Sequence, residues 1–292
     1  MSHNYNRIMK RVAATFRLRL FSPVTLESSG YQLRTQRIEH SVTPWQRNSL
    51  LILIFLWVLS FAQTGVEIID QVDKNMVSNT AEYKARMLIS LGGQVREKEF
   101  MGYSQGKNLA YLEFTAPARD KGTRFLKIGD EMWIYLPEVE KATKIAGHML
   151  RQSLMGSDFS YDDMTGNEKL KELYEIELIG TDTVMDKPCY LLELTANPPK
   201  ADKEVSYYRR KLWIDKNYKF PVKEELYAKS GKLMKETTIT DFKKIGERNY
   251  PTKIKMVNKL RQNTYTELVL EDVKLDLKIP ERFFTKSYLE RK

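Results

Sequence analysis

Cysteine is nearly absent from this chain. Among 292 residues there is one, Cys189, so no internal disulfide can form and Cys-rich zinc or iron–sulfur sites are excluded. It lies in the apolar stretch "CYLLEL", where a buried, inert thiol is expected rather than a nucleophile. Histidine is almost as scarce, with only His3, His40 and His148. No pair of them has the spacing of a zinc-binding helix, and there is no G-x-S-x-G elbow, P-loop or dinucleotide-binding glycine pattern. Asp158, Asp162 and Asp163 crowd together, but without the Gly and terminal Glu of an EF-hand. They are expected to cap helices and bond loops. The raw material for catalysis is missing, and a protein that is no enzyme, with no metal and no cofactor, is the expectation.

A membrane-spanning run is missing too. The longest apolar stretch, Leu50 to Ala62, has 13 residues, whereas a spanning helix takes roughly 17–25. Arg47 precedes it, and it ends in Ser60-Phe61-Ala62, with small residues where a signal peptidase would cut. Residues 48–62 therefore read as a signal peptide cleaved before Gln63, with an uncleaved anchor as the alternative. No Cys follows the run, so the mature chain should not itself be a lipoprotein. Residues 1–47 stand upstream of the signal, either because the start was assigned too early or as an extended leading region. The mature domain is then 63–292, exported to the periplasm.

Nor is there a basic stripe. The net charge is +10, but residues 1–47 hold eight Lys or Arg against Glu27 and Glu39. Six of the ten excess charges thus precede the mature domain, where both signs are interleaved. Nucleic acid is not an expected partner.

What is present is alternation. "GVEIIDQVDKNM" places Val66, Ile69, Val72 and Met76 or Val77 at helical spacing, so one amphipathic helix opens the domain. After it the period drops to two, and turn signals such as Gly92-Gly93 and Ser230-Gly231 cut the chain into strands. A meander of about eleven strands would leave long exposed edges if flat, and curling into an open barrel is the usual solution. In "MWIYL", Met132, Ile134 and Leu136 share one face, opposite Trp133 and Tyr135; in "LAYLEF", Ala110, Leu112 and Phe114 do. The interior can be an ordinary packed core or a cavity, and periodicity alone does not separate the two. The alternation stops only at "LRQSLMGSDFSYDDM", Leu150 to Met164.

The block "DEMWIYLPEVEKATKIAGHMLRQSLMGSDFSYDDM" resembles the signature of the outer-membrane lipoprotein-sorting, LolA-like proteins. More closely, it is similar to their uncharacterised branch, sometimes encoded near RND-type lipid exporters. The ending "IPERFFTKSYL" is also typical of that branch, and the similarity runs over roughly residues 66–290. The resemblance implies a half-open antiparallel β-barrel capped by an N-terminal helix and a helical lid. Its apolar inside would hold the acyl chains of a lipid or lipoprotein and move them between envelope membranes. An inner-membrane exporter and an outer-membrane acceptor are the implied partners, and a monomer is expected. A different class remains open, a non-catalytic accessory or sensor subunit of an RND-type export complex.

On this reading Leu112, Phe114, Met132, Ile134, Leu136, Leu154, Met155 and Phe159 line the cavity. Residues 147–166 form the lid, bonded to the rim through Arg151, Asp158 and Asp163. A lid that opens should rest on a few polar bonds worth ~1 kcal/mol each rather than on a large apolar seam.

Overall fold

The computed structural model describes residues 63–165, 170–198 and 205–291. The boundaries expected for a leading segment (1–47) and a signal peptide (48–62) fall outside the described residues.

The domain opens with helix α1 (Gly65–Met76). Thr64 caps it reciprocally: its hydroxyl accepts from the Glu67 amide at 3.2 Å, while the Glu67 carboxylate accepts from the Thr64 amide at 2.9 Å. Two of the orphan amides of the first turn are thereby satisfied. The buried stripe is Gly65, Ile68, Ile69 and Val72. Val66, expected to face inward, is 43% exposed, because the i, i+3, i+4 stripe begins one residue earlier.

Thirteen strands follow: β1 (Thr80–Leu91), β2 (Gln94–Gln105), β3 (Leu109–Ala116), β4 (Arg124–Ile128), β5 (Glu131–Leu136), β6 (Lys141–Lys144), β7 (Tyr174–Val184), β8 (Lys187–Ala196), β9 (Arg209–Asp215), β10 (Pro221–Tyr227), β11 (Leu233–Ile245), β12 (Arg248–Asn258) and β13 (Thr264–Leu275). They make one sheet in the order β6-β5-β4-β3-β2-β1-β13-β12-β11-β10-β9-β8-β7. The strand count exceeds the expected eleven. Part of the excess is β6, "KATK", which buries only Ala142 and so shows no alternation to read.

Every pairing is antiparallel, and β1 pairs with β13, joining the first strand of the meander to the last. The edges are β6 and β7, and they do not pair, which leaves the barrel open, as expected. The connection from 145 to 173 runs between these two edges. It contains a 3-10 turn (Gly147–Arg151), α2 (Tyr161–Thr165) and α3 (Leu170–Leu173).

Both faces of the sheet are covered, by different parts of the chain. On the inner face α1 packs against Leu192, Leu194, Leu212 and Ile214. Its approach to β7 is close: a Cβ on Gly65 would lie 3.2 Å from the Ile176 carbonyl oxygen. The 145–165 connection packs beside it against β1–β5, β12 and β13. Trp133 and Tyr135 do point to the opposite face, but that face is not left to charged residues. Tyr111, Leu126 and Tyr135 are covered there by Ile279, Phe284 and Leu289 of the tail, which holds a second 3-10 turn (Glu281–Phe284) and α4 (Lys286–Leu289). Arg291 ties this tail down, donating to the Tyr111 hydroxyl at 2.7 Å and to the Glu113 carboxylate at 2.6 Å.

Candidate functional site: the inner face and its inserted loop

Residues 153–160 form a small hairpin of their own. Ser153 and Ser160 make an isolated bridge, the Leu154 amide donates to the Phe159 carbonyl at 2.8 Å, and the Ser157 amide donates to the Leu154 carbonyl at 2.9 Å. The two central residues of that turn, Met155 (φ 50°) and Gly156 (φ 82°), are both left-handed. Glycine takes this geometry without steric cost, whereas a methionine is strained by about 1–2 kcal/mol.

The hairpin is not laid across the sheet but pushed into it. Leu154 is 1% exposed, and Ser157, Asp158, Phe159 and Ser160 are buried with it. Leu154 and Phe159 join Phe100, Phe114, Phe125 and Met132 in one apolar cluster. Burying two such side chains is worth about 1.5–3 kcal/mol each. The expectation that polar bonds alone hold the segment therefore understates its attachment.

Its polar anchors lie on two sides. The Asp158 carboxylate accepts from the hydroxyls of Thr264 (3.0 Å) and Thr266 (2.8 Å) on β13, and the Asp158 amide donates to Thr266 at 2.9 Å. On the other side Asp163 accepts from the Ser160 amide at 2.7 Å, which caps α2, and from the Tyr207 hydroxyl at 2.8 Å. Its carboxylate also pairs with the buried Lys235 ammonium of β11. Burial, then the nearby Asp163 charge, pushes the Tyr207 hydroxyl well above its usual pKa. Asp162 takes a hydrogen bond from Ser206, and Arg151 donates to the Val205 carbonyl at 3.0 Å.

Seven of the eight residues expected to line a cavity come together in one packed cluster; of the eight, only Phe159 lines the large cavity described below, and Leu112, Met132 and Leu154 line the small space beside it. Phe114, Met132, Leu154 and Phe159 are buried in the cluster, with Leu112, Ile134 and Met155 packed against them. Leu136 does not join them. It is 38% exposed, because it ends β5 opposite Lys141 where the sheet runs out to its edge. Arg151, Asp158 and Asp163 all bond the loop to its surroundings, Arg151 through a backbone carbonyl. The partners Thr264, Thr266, Tyr207, Lys235 and Val205 were not expected. The alternation of "TYTELVL" places Thr264 and Thr266 on one face with Leu268 and Leu270, and that was the one available signal.

Between α1, the inner face and the loop lies a cavity of about 360 Å³, within the roughly 300–1,000 Å³ common for small-molecule sites. Apolar walls come from Met76, Phe100, Phe159, Ile254, Leu268 and Leu270, with Lys107, Lys127 and Asp163 as its charged residues. A smaller space of about 40 Å³ adjoins it, sharing Tyr83, Ala110, Lys127 and Met164. The Tyr83 ring lies over Gly102, where a Cβ would come within 2.3 Å of it, so this glycine permits the ring its place. Among the described residues there is no group of three or more His, Cys, Asp or Glu that could hold a metal.

Lys127 is 4% exposed, and its ammonium donates to the Lys107 carbonyl. Burial lowers its pKa from 10.5 to about 8, against the opposing pull of Asp130 and Asp162. Below about pH 8 the folded chain carries the full cost of this buried charge. Between about 8 and 10.5 the folded state has shed the proton while the unfolded state keeps it, so stability rises with pH. Lys127→Met is accordingly expected to stabilise the protein by about 1–2 kcal/mol at pH 7, net of the lost hydrogen bond. Paired melts at pH 7 and pH 10 should show that gain shrinking. A gain independent of pH would remove buried charge as its cause.

A family model described as an uncharacterised protein family matches residues 106–291, more than half of the chain. Solved structures similar to this chain share its open sheet. A DUF1329 family protein from Desulfovibrio piger superposes with a TM-score of 0.70 at 26% identity, covering 77% of this chain and 97% of that one. The chain belongs to this uncharacterised family, and its fold is LolA-like. A domain from Vibrio parahaemolyticus, described as an outer membrane lipoprotein-sorting protein, is similar to the LolA-like chain with a TM-score of 0.71 at 22% identity, covering 78% and 98% of the two chains. A LolA superfamily protein from Nitrosomonas europaea gives 0.65 at 24%, covering 78% and 100%. These last two likenesses establish the LolA-like fold alone. No curated protein matches the sequence.

Proposed function

We propose that this chain is a periplasmic, non-catalytic carrier that holds the acyl chains of a lipid or lipoprotein inside its open barrel and passes them between envelope membranes. The observation that carries the proposal is the cavity of about 360 Å³ walled by apolar side chains of the inner sheet face. Each buried CH₂ of an acyl chain is worth about 0.8 kcal/mol, so such a chain does not cross water unaided. The inserted hairpin supports the same reading, since it fills part of the space with Leu154 and Phe159. An entering acyl chain can offer the sheet the contacts these two residues give up, so opening becomes an exchange rather than a pure loss. An accessory subunit of an exporter would need no internal space. The inner-membrane donor and the outer-membrane acceptor are part of this proposal.

The test is transfer of a fluorescent acyl probe by the purified protein from loaded to empty phospholipid vesicles, with mass spectrometry of organic extracts to identify carried lipid. Transfer above the protein-free rate is expected. Arg151→Leu removes one surface anchor of the loop, so probe release should quicken while stability changes by no more than about 1 kcal/mol. Absence of probe binding, with no lipid in the extract, would end the carrier reading.

A further inference from the structure

We infer that one end of the barrel docks on an anionic lipid bilayer, through three adjacent hairpin turns that set exposed aliphatic side chains among cations. This goes beyond the carrier reading and stands on other residues, so either can fail without the other.

The sheet order β2-β1-β13-β12-β11-β10 sets the β1–β2, β12–β13 and β10–β11 turns side by side. Two backbone bonds join them. The Gly92 amide donates to the Asn263 carbonyl at 3.2 Å, and the Lys259 amide donates to the Met234 carbonyl at 2.8 Å. Turn residues are normally polar, yet here Val95 is 59% exposed and Leu91 and Leu260 are 49% exposed each. Exposed aliphatics scattered singly need no explanation, but a group of them at one place does. Leu91 pairs with Gln94 and Val95 pairs with Ser90, so the two lie on opposite faces of the β1–β2 ribbon. The tip is therefore not just the rim of the inner cluster. It is apolar on both sides, a shape that suits a wedge between lipid headgroups.

Charge chooses the partner. Both signs are interleaved along the strands, but residues 91–96, 228–232 and 259–263 hold Lys and Arg with no Asp or Glu. Arg96, Lys232 and Arg261 are exposed there and make no ion pair among the described residues; Lys259 lies 3.4 Å from Glu236. At a bilayer such cations meet phosphate groups while the aliphatic side chains sink past them. Thr264 follows the β12–β13 turn directly, and its hydroxyl also holds Asp158 of the inserted loop. The docking end is thus the end where that loop is fastened.

The experiment attaches an environment-sensitive fluorophore to the purified protein through Leu260→Cys, or through Glu247→Cys in the exposed β11–β12 turn at the other end of those strands. The native Cys189 is buried and should not react. Vesicles of phosphatidylethanolamine with phosphatidylglycerol are compared with vesicles of phosphatidylcholine alone. The label at 260 should shift to the blue on the anionic vesicles and be quenched by brominated acyl chains, whereas the label at 247 should do neither. Being local, this signal does not arise from attachment through another part of the chain. Adding Arg96→Gln and Arg261→Gln should weaken the response by about tenfold or more, and 0.5 M salt should do the same. Adding Leu91→Ser and Val95→Ser should remove the quenching, with unchanged melting temperatures showing that the variants are folded. No response of the label at 260 to anionic vesicles would overturn the inference, as would equal responses at both positions. Equal responses to anionic and neutral vesicles would overturn it too. Docking without any binding of an acyl probe would support it and sink the carrier reading instead.

Discussion

Asp163→Ala is expected to destabilise the protein by about 3–5 kcal/mol, the range for breaking a buried ion pair by removing one member. The Asp163 side chain is 6% exposed and that of Lys235 is 11% exposed, so the ammonium would be left buried with its carboxylate gone. The same change removes the acceptor of the Tyr207 hydroxyl and that of the Ser160 amide, one of the two bonds that cap α2. Whole domains are stable by only about 5–15 kcal/mol, so the variant should sit near its folding limit at 37 °C. Urea denaturation of Asp163→Ala, Lys235→Met and the double variant separates the causes. The double variant should recover much of the loss, because the stranded charge is then absent. Hydrogen exchange at the Leu154 and Ser157 amides should show whether the hairpin is released before the sheet unfolds. A loss below about 1 kcal/mol for Asp163→Ala would mean that this carboxylate does not anchor the loop.

Probe binding should fall by about a hundredfold or more in Leu270→Asp, since the variant puts a carboxylate on an apolar wall where its desolvation is not repaid. Leu270 is only partly buried, so the fold should survive. Ala110→Trp tests the same space without charge, filling the cavity at a position shared by its two parts. Leu136→Asp serves as the control. That side chain lies outside the cluster, and its replacement should leave binding unchanged. Unaltered binding in both folded cavity variants would place the ligand elsewhere.

Alternation made much of this legible before any coordinates. Leu112, Phe114, Met132 and Ile134 are on the inner face because strand side chains alternate strictly, and the pattern needed only a choice of face. It failed at Leu136, where a strand reaches the sheet edge and loses the neighbours that would bury it. It missed β6, which buries a single residue, Ala142, on the face covered by the tail. Val66 was misplaced because one turn of helix offers two overlapping apolar stripes, and only the packing partner chooses between them. The loop was recognisable by its break in pattern and by its resemblance to known relatives. Its partners were not, for Thr264, Thr266, Tyr207 and Lys235 lie roughly 40 to 110 residues away in sequence. Lys127 sits among other interleaved charges, and nothing in one sequence marks a lysine as inward. The ending was legible through its resemblance, but not as a cover for the outer face.

The pairing of β1 with β13 has a consequence for how the chain is made. A ribosome or an export channel delivers the amino end first. The hairpins from β1 to β6 can then form early, because each partner follows its neighbour within a few residues. The outward edge of β1, however, must wait for almost the whole domain to emerge before its mate arrives, since Ala85 pairs with Leu270 and Leu91 with Thr264. Until then a twelve-residue strand presents an open row of backbone donors and acceptors, the arrangement that invites pairing with other chains. The last strand to appear is thus the clasp that makes two successive meanders into one wall.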